Sequence, residues 1–593
     1  MIIKLDLIVV LVVILFILIS LYKDLLGTTF TFVIAVTVLG FFKILTPSEI
    51  LSGFANEQIA VIILLLLLGD IIRQTAIIEV VFDKLFKNAR SYRGFLGRMA
   101  LAIAGFSAFL NNTPLVAVMM PYTNTWCKRN NISPSKFMIP LSYAAIIGGC
   151  ATLIGTSTNL IVNGMWVEQK IIPNAVSLNI FEFAWVGVPM IIIGTLYLVF
   201  FSDKLLPART DLLSEFSKNS RSYIIETEIR KSSHLIGKTL EESGLTNLKG
   251  YYLIEIFRNN YKISHLSSEI VLQQEDQLIF AGDTNVITDM LNGDSGLTLP
   301  SVGMLNKKKQ TEVVEIVISY NSKMIGRSVS EIRFRARFDA AVIAVHRNGE
   351  RISGKLGETV IKAGDVLLLY TGADFFSRSI DTHDFYFISK VKDFQKLESY
   401  KIWTLLGGTV LIILLSAFHL VSLFMGLIVL LMVVISMKIA KPKELHKAID
   451  YNLAMIIALS LALGTAMIKS GAADLVADLV VKVFLPLGKV GLLFGIYFIT
   501  AILAAYITNK AAVAIVFPVS IMMAANLGLN PIPFVLVVSF AAAANFMTPH
   551  GYQTNLMVYG PGGYTFTDFF KIGFPLTMIY MVVTVIILRL VYL

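Results

Sequence analysis

The chain has 593 residues, of which 56% are hydrophobic and 15% charged, with a formal net charge of +10. So apolar a composition excludes a soluble protein of this size and places the chain in the membrane class. The basic excess falls in short loops and in a polar middle stretch, where the positive-inside bias accounts for it, so it does not point to nucleic acid.

The apolar runs come first. Residues 2–22 have Lys4 and Asp6 near their start and no small-residue cleavage pattern after them, so they read as a retained helix rather than a signal peptide. Runs at 28–45 and 54–74 follow, each near the roughly 20 residues that a bilayer demands. Lys84, Lys87, Arg90, Arg93 and Arg98 then make a basic loop, which belongs in the cytoplasm. Segment 95–126 is too long and too broken for one simple span, and its centre holds Asn111, Asn112, Thr113 and Pro114. Free amides are costly in hydrocarbon, so such a break lines a polar cavity and does not face lipid. A re-entrant helical hairpin would set this tip near the midplane. The basic loop after it, with Lys128, Arg129 and Lys136, agrees with a return to the cytoplasm. Residues 137–166 are apolar but interrupted at Gly155-Thr-Ser-Thr-Asn159, and a run at 180–202 closes the part. Cys127 and Cys150 have no metal or redox spacing and read as free thiols.

Residues 203–399 are more charged, hold no run of membrane length and contain a repeat. Met324-Ile-Gly-Arg-Ser-Val329 stands 89 residues after Leu235-Ile-Gly-Lys-Thr-Leu240, as Arg347 does after Arg258 and Asp365 after Asp276. Each copy reads as a strand, a short helix, a hairpin turning at Arg-Asn-Asn or Arg-Asn-Gly, and a last strand. The expectation is two small α+β domains, 203–283 and 312–399, joined by a linker at 284–311.

The second membrane part, 400–593, repeats the plan of the first, 1–202. Runs at 400–418, 420–437 and 452–470 precede a broken segment at 488–517, an interrupted run at 531–560 with Thr548-Pro-His-Gly-Tyr-Gln-Thr-Asn555, and a last run at 572–593. Lys438, Lys441, Lys443 and Lys447 form its basic loop. Asn509, Ala514 and Pro518 each stand 397 residues after Asn112, Ala117 and Pro121; Gly551, Thr554 and Asn555 stand 396 after Gly155, Thr158 and Asn159. Five crossings per half would invert the second half against the first. That count predicts ten spans, a cytoplasmic middle and both termini outside. Matched, interrupted segments in two halves point to the binding site of a secondary transporter. Half-helix N-termini suit an anion, and unwound carbonyls and hydroxyls suit a hard cation such as sodium. His550 reads as a buried neutral residue of the kink.

On these motifs the chain resembles the divalent anion/sodium symporter family, solute carrier family 13, over both membrane parts. The middle repeats resemble TrkA C-terminal (RCK-C) domains, which hold the same position in a branch of that family known as sulfate permeases. Leu153-Ile-Gly-Thr-Ser-Thr-Asn-Leu160 and Pro549-His-Gly-Tyr-Gln-Thr-Asn555 are close to that branch. In the family, Ser-Asn-Thr tips bind the anion and the unwound loops bind sodium. The resemblance thus assigns the anion to Asn111, Asn112, Thr113, Thr508, Asn509 and Lys510 with Thr156, Ser157 and Thr554. It assigns the cation to Asn112, Gly155, Thr158, Asn159, Asn509, Thr548, Gly551 and Asn555, with no metal beyond sodium. Asn111 and Thr508 replace the first Ser of the motif, and Lys510 replaces its Thr. An intramembrane ammonium costs about 2.5–3.5 kcal/mol on insertion scales. Lys510 therefore pairs with the anion, takes the place of a second sodium, or snorkels to outside water.

The RCK-C resemblance leaves two roles open: a dimer-building or inert module, or a site for cyclic di-AMP, a cyclic di-nucleotide. Neither copy carries the Gly-x-Gly-x-x-Gly of a dinucleotide fold. The expectation is a membrane α-helical transporter, not an enzyme, built of two inverted repeats with re-entrant hairpins and broken helices. It would be a homodimer in a bacterial-type cytoplasmic membrane, importing a small divalent oxyanion, sulfate first, by sodium symport. Dicarboxylate or arsenite transport and sodium–proton exchange are alternatives within the superfamily. An RCK-regulated channel would need a filter such as Thr-Val-Gly-Tyr-Gly, which the chain lacks.

Overall fold

A computed structural model describes residues 5–23, 25–74, 82, 85–86, 91–173, 175–209, 224–245, 251–259, 261–263, 269–282, 296–298, 312–347, 350–352, 356–372, 374–379, 382–388, 399–418, 420–440 and 451–593. Lys84, Lys87, Arg90, Lys441, Lys443, Lys447 and most of the expected linker lie outside the described residues.

The apolar runs fold as helices, the form in which a segment pairs its own backbone groups without water. In chain order the first part holds α1 (Leu5–Tyr22), α2 (Thr28–Phe41), α3 (Glu57–Gln74), α4 (Tyr92–Ser107), α5 (Asn112–Arg129), α6 (Met138–Gly149), α7 (Ser157–Glu168) and α8 (Ala184–Leu205). The last part holds α9 (Ser399–Ala417), α10 (Leu423–Ser436), α11 (Tyr451–Ser470), α12 (Ala472–Phe484), α13 (Gly488–Tyr506), α14 (Asn509–Asn526), α15 (Ile532–Ala543), α16 (Gln553–Tyr559) and α17 (Phe566–Tyr592). Seven helical stretches among the described residues are long and apolar enough to cross a membrane, and four shorter apolar helices accompany them. The reading from sequence had no element between 470 and 488. There α12 turns Ala472, Ala473, Ala477 and Val480 inward at helical spacing, while Asp474, Asp478 and Lys482 break the apolar run that would have revealed it.

Two short helices form the centre. Every residue of α6 is buried, and so is α15 from Pro533 to Ala543. A helix that is apolar all round belongs inside a bundle. By contrast α1 exposes Leu5, Ile8, Val12, Leu15 and Ile19, and α17 exposes Phe570, Phe574, Val582 and Ile586, a surface suited to lipid.

Between the membrane parts lie two antiparallel sheets. The first contains β1 (Ile224–Ile229), β2 (Tyr251–Arg258), β3 (Tyr261–Lys262), β4 (Gln277–Gly282) and β5 (Leu297–Thr298), in the order β3-β2-β4-β1-β5. The second contains β6 (Glu312–Ile318), β7 (Ala340–Arg347), β8 (Glu350–Arg351), β9 (Val366–Thr371) and β10 (Phe385–Phe387), in the order β10-β6-β9-β7-β8. Arg258 holds the buried Asp276 in a fork at 2.8 Å on both oxygens, and Arg347 holds Asp365 at 2.7 Å in the same way. Leu297 and Thr298 fall inside the stretch expected to be a linker, yet they pair with β1 and widen the first sheet. A run of two residues is too short to show a strand period. The short helix expected in each copy occurs in the second, at Val329–Ile332 and Phe334–Phe338; residues 231–245 of the first are mostly turns, with no helix among them.

His346 on β7 faces Arg351 on β8 and is buried. Burial and that guanidinium hold the imidazole down at about 4. The unfolded chain takes up the proton near the ordinary histidine value and the folded one resists it. Stability is thus complete above about pH 6.5. It should fall by up to about 3 kcal/mol as pH drops toward the folded value. Amide protection factors in β7 that fall at low pH, and no longer fall in His346→Leu, are the expected reading; protection that ignores pH would count against it.

The second sheet also rests on the membrane helices. Val317, Val366 and Ile388 belong to the same buried cluster as the bundle. Asn124 of α5 donates to the Ile388 carbonyl at 3.3 Å. Gly364 has a φ of +80°, and a Cβ there would lie 3.0 Å from Leu556 of α16.

Candidate functional site

The four broken segments meet in one polar cluster. In the first half α4 ends at Ser107 and α5 starts at Asn112, with Asn111 as its N-cap. Pro114 is tolerated there because the first turn of a helix has N–H groups without intrahelical partners. In the second half Thr508 caps α14 by accepting from the Ala511 N–H at 3.2 Å. Each hairpin is clipped to the unwound loop of its own half. Thr152 Oγ1 donates to the Ala108 carbonyl, and Thr548 Oγ1 donates to the Ala505 carbonyl at 3.2 Å.

Asn159 and Asn555 then tie each loop into a closed turn. Asn159 Nδ2 donates to the Thr152 carbonyl at 2.8 Å and to that of Gly149 at 3.4 Å. Asn555 Nδ2 donates to the carbonyls of Thr548 at 3.1 Å and Asn545 at 3.0 Å. Their amide oxygens reach the opposite half: Asn159 Oδ1 accepts from Ser539 on α15 at 2.8 Å, and Asn555 Oδ1 accepts from Ser142 on α6 at 2.7 Å. Ser142 has one proton, so having given it to Asn555 it accepts from Thr554 Oγ1, 2.8 Å away. These bonds give the unwound backbone the partners that lipid would withhold.

The loops also explain two glycines. A Cβ on Gly155 would lie 2.6 Å from the Gly149 carbonyl and 3.0 Å from that of Ala108. One on Gly551 would meet Asn545 Nδ2 at 2.1 Å and Thr548 Oγ1 at 2.6 Å.

The halves differ where Ser107 and Gly149 of the first are matched by Ala504 and Asn545 of the second. Ser107 Oγ lies within bonding distance of Asn112 Oδ1 and of the Ala145 carbonyl, one of which takes its proton. Asn545 Nδ2 instead donates to the Ala504 carbonyl at 2.7 Å. That leaves the amide oxygens of Asn545 and Asn509 buried with no hydrogen-bond partner. An unpaired buried acceptor costs about 1–3 kcal/mol, so a group of positive charge is the natural complement to such oxygens.

Across the halves, Asn112 Nδ2 donates to Tyr552 Oη at 2.7 Å, and the Tyr552 hydroxyl lies 3.1 Å from Thr156 Oγ1. Thr113 Oγ1 donates to Gln553 Oε1 at 3.1 Å. Exposure sorts the residues named from sequence. Asn111, Thr113, Ser157, Thr508, Asn509 and Lys510 are partly open, as are Tyr552 and Gln553. Asn112, Gly155, Thr156, Thr158, Asn159, Thr548, Gly551, Thr554 and Asn555 are buried. Thr554, expected at the anion, has its hydroxyl spent on Ser142. Lys510 is the second residue of α14, between Asn509 and the buried wall that starts at Ala511. His550 is exposed, not buried as expected, and its ring lies 6.3 Å from that of Tyr559. Tyr552, Gln553 and Asn545 were missed. The signal for Asn545 was an amide in an apolar run three residues before Thr548-Pro549, hidden because its matched residue is Gly149.

A helical membrane protein whose broken helices gather amides and hydroxyls into one buried cluster has the build of a secondary transporter. The model of the citrate transporter (CitMHS) family matches residues 11–429 and 409–593, and the chain belongs to that family. It is thus a multi-pass membrane transporter. It is 33% identical over 580 residues to an uncharacterized transporter, sll0640, of Synechocystis, covering 95% of this chain and 93% of that one. It is 25% identical over 586 residues to the uncharacterized transporter YfbS of Escherichia coli, covering 92% and 93%. It is 29% identical over 377 residues to sodium/sulfate cotransporter 1 of Chlamydomonas reinhardtii, covering 59% of this chain and 41% of that protein.

Proposed function

We propose that this transporter imports a small divalent oxyanion, sulfate first, by sodium symport with alternating access. The observation that carries the reading is the unequal pair of tips. The first hairpin presents Asn112 and Thr113 to polar groups of the other half, and the second leaves the Asn509 and Asn545 oxygens buried and unpaired. Hydroxyls, amides and the Lys510 ammonium suit an oxyanion; orphan carbonyl oxygens suit sodium. The similarity to sodium/sulfate cotransporter 1 supports both halves of the proposal.

The element order supports two inverted repeats: α4–α5, α6–α7 and α8 recur as α13–α14, α15–α16 and α17. The Arg–Asp forks and the shared strand order support the paired RCK-C-like domains, which the positive-inside count puts in the cytoplasm. In this reading the protein is a homodimer, and the sheets are a regulatory or dimer-building pair.

Labelled sulfate uptake into proteoliposomes, with and without a sodium gradient, tests the proposal. Gradient-dependent uptake is expected; absent or gradient-independent uptake would overturn it. The family's name, citrate transporter, favours a second reading, a carboxylate substrate. Succinate and citrate as competitors separate the two. The cation site has its own signature. Asn545→Leu should raise the sodium concentration for half-maximal uptake about tenfold, the worth of one lost ligand. Asn545→Asp keeps an oxygen ligand and adds a charge but loses the donation to Ala504, so its half-maximal sodium concentration should lie below that of Asn545→Leu. Sodium curves that coincide for both variants would remove Asn545 from the site.

A further inference from the structure

The two unwound loops match residue by residue, but at two positions their side chains differ greatly in size. Thr156 and Ser157 of the first loop stand where Tyr552 and Gln553 stand in the second. The larger pair reaches across the halves. The Tyr552 hydroxyl bridges Asn112 (2.7 Å) and Thr156 (3.1 Å), and Gln553 takes the Thr113 hydroxyl (3.1 Å). Tyr552, Gln553 and Thr113 are partly open, so this bridge forms part of the wall of the polar space and is not sealed in the core. A phenol is rigid, with two side-chain torsions, so it fixes the gap between the first hairpin tip and the second loop. It also fills volume that a threonine would leave empty. Its hydroxyl accepts from Asn112 and lies beside Thr156, so it orients the amide of the first hairpin tip.

We infer that Tyr552, seconded by Gln553, is the size filter of the site: it admits a compact tetrahedral oxyanion and shuts out four-carbon dicarboxylates. The inference rests on the proposed anion transport and adds which anions pass. A difference of one methylene in a fitted site is worth about 10–200-fold between competitors, and a four-carbon chain exceeds that difference.

The test compares sulfate uptake by the full chain in proteoliposomes, with succinate as competitor, for wild type, Tyr552→Thr (the matched residue) and Tyr552→Phe. Wild type should carry sulfate with little inhibition by succinate. Tyr552→Thr should make succinate at least about tenfold more inhibitory and should itself carry labelled succinate. Tyr552→Phe keeps the ring and should keep the exclusion, while its KM for sulfate rises by about tenfold through the lost hydroxyl. A mere strut between the halves would give slower uptake in both variants with the competitor profile unchanged, and that result would overturn the filter. If Tyr552→Thr does not reach the membrane, Gln553→Ser reads the same question: stronger succinate inhibition supports the filter, and an unchanged profile overturns it. Wild type that carries succinate and not sulfate would instead overturn the proposed substrate. The two failures are thus distinct.

Discussion

Gly155→Ala is expected to leave a chain that inserts in the membrane but transports about tenfold to a hundredfold more slowly. The added methyl would stand 2.6 Å from the Gly149 carbonyl and 3.0 Å from that of Ala108. Both neighbours are backbone, so no side chain can rotate out of the way. The Gly149 carbonyl is also tied to Asn159, and the Ala108 carbonyl to Thr152. Relief therefore requires the loop to shift away from the first hairpin. Overpacking of this kind costs about 1–3 kcal/mol. The shift would carry Thr156 with it and break the bridge to Tyr552. Gly551→Ala makes the informative comparison. Its methyl would meet the Asn545 and Thr548 side chains, so the harm should appear in sodium dependence before it appears in maximal rate. Initial rates of sulfate uptake, scaled to the amount of protein in the membrane, read both. A Gly155→Ala chain at wild-type rates would show that the loop has room the geometry denies.

Replacing Lys510 with Asn is expected to raise KM for the anion by about 10–100-fold, or to change the number of sodium ions carried per anion. The matched residue in the first half is Thr113, a neutral hydroxyl. A charge-assisted hydrogen bond is worth about 1.5–3 kcal/mol, which sets the size of the KM effect. If the ammonium stands in for a second sodium, the KM effect gives way to a steeper sodium dependence, since the vacated place would then need an ion. The pair of readouts tells the two roles apart. Unchanged affinity together with unchanged sodium dependence would retire both and leave Lys510 as a snorkelling residue at the hairpin mouth.

The second sheet is in contact with both α5 and α16. Both helices carry residues of the proposed site at their N-terminal ends, Asn112 and Gln553, and both touch the sheet domain further along. The sheet thus rests on the elements that carry the proposed site.

Much of the arrangement was legible before any coordinates. Proline and amides inside apolar runs marked the two hairpin tips and the two unwound loops, because such residues have no stable place against lipid. A constant spacing between the halves joined them in pairs. The 89-residue spacing matched Arg258 with Arg347 and Asp276 with Asp365, but not the fork that each arginine makes on the aspartate of its own copy. Features that depend on position in space stayed hidden. β5 is two residues long. α12 has charges that interrupt its apolar run. His550 sits in a motif that reads as a buried kink yet faces out.

By itself the sequence determined the class of protein, the apolar parts with a polar stretch between them, and the places where the apolar runs break. Local chemistry suffices for these, since a bilayer dictates where apolar and polar residues can stand. Only the tertiary structure decided which polar groups are spent and which are left over. The side chains of Asn159, Thr554 and Asn555, which the resemblance assigns to ligands, hold the loops and bond between the halves. Tyr552, Gln553 and Asn545 look incidental in the chain, yet Tyr552 and Gln553 bond across the halves and the Asn545 oxygen is left buried and unpaired. Hydrogen-bond partners 380 to 440 residues apart settle that difference, and no local pattern carries the information.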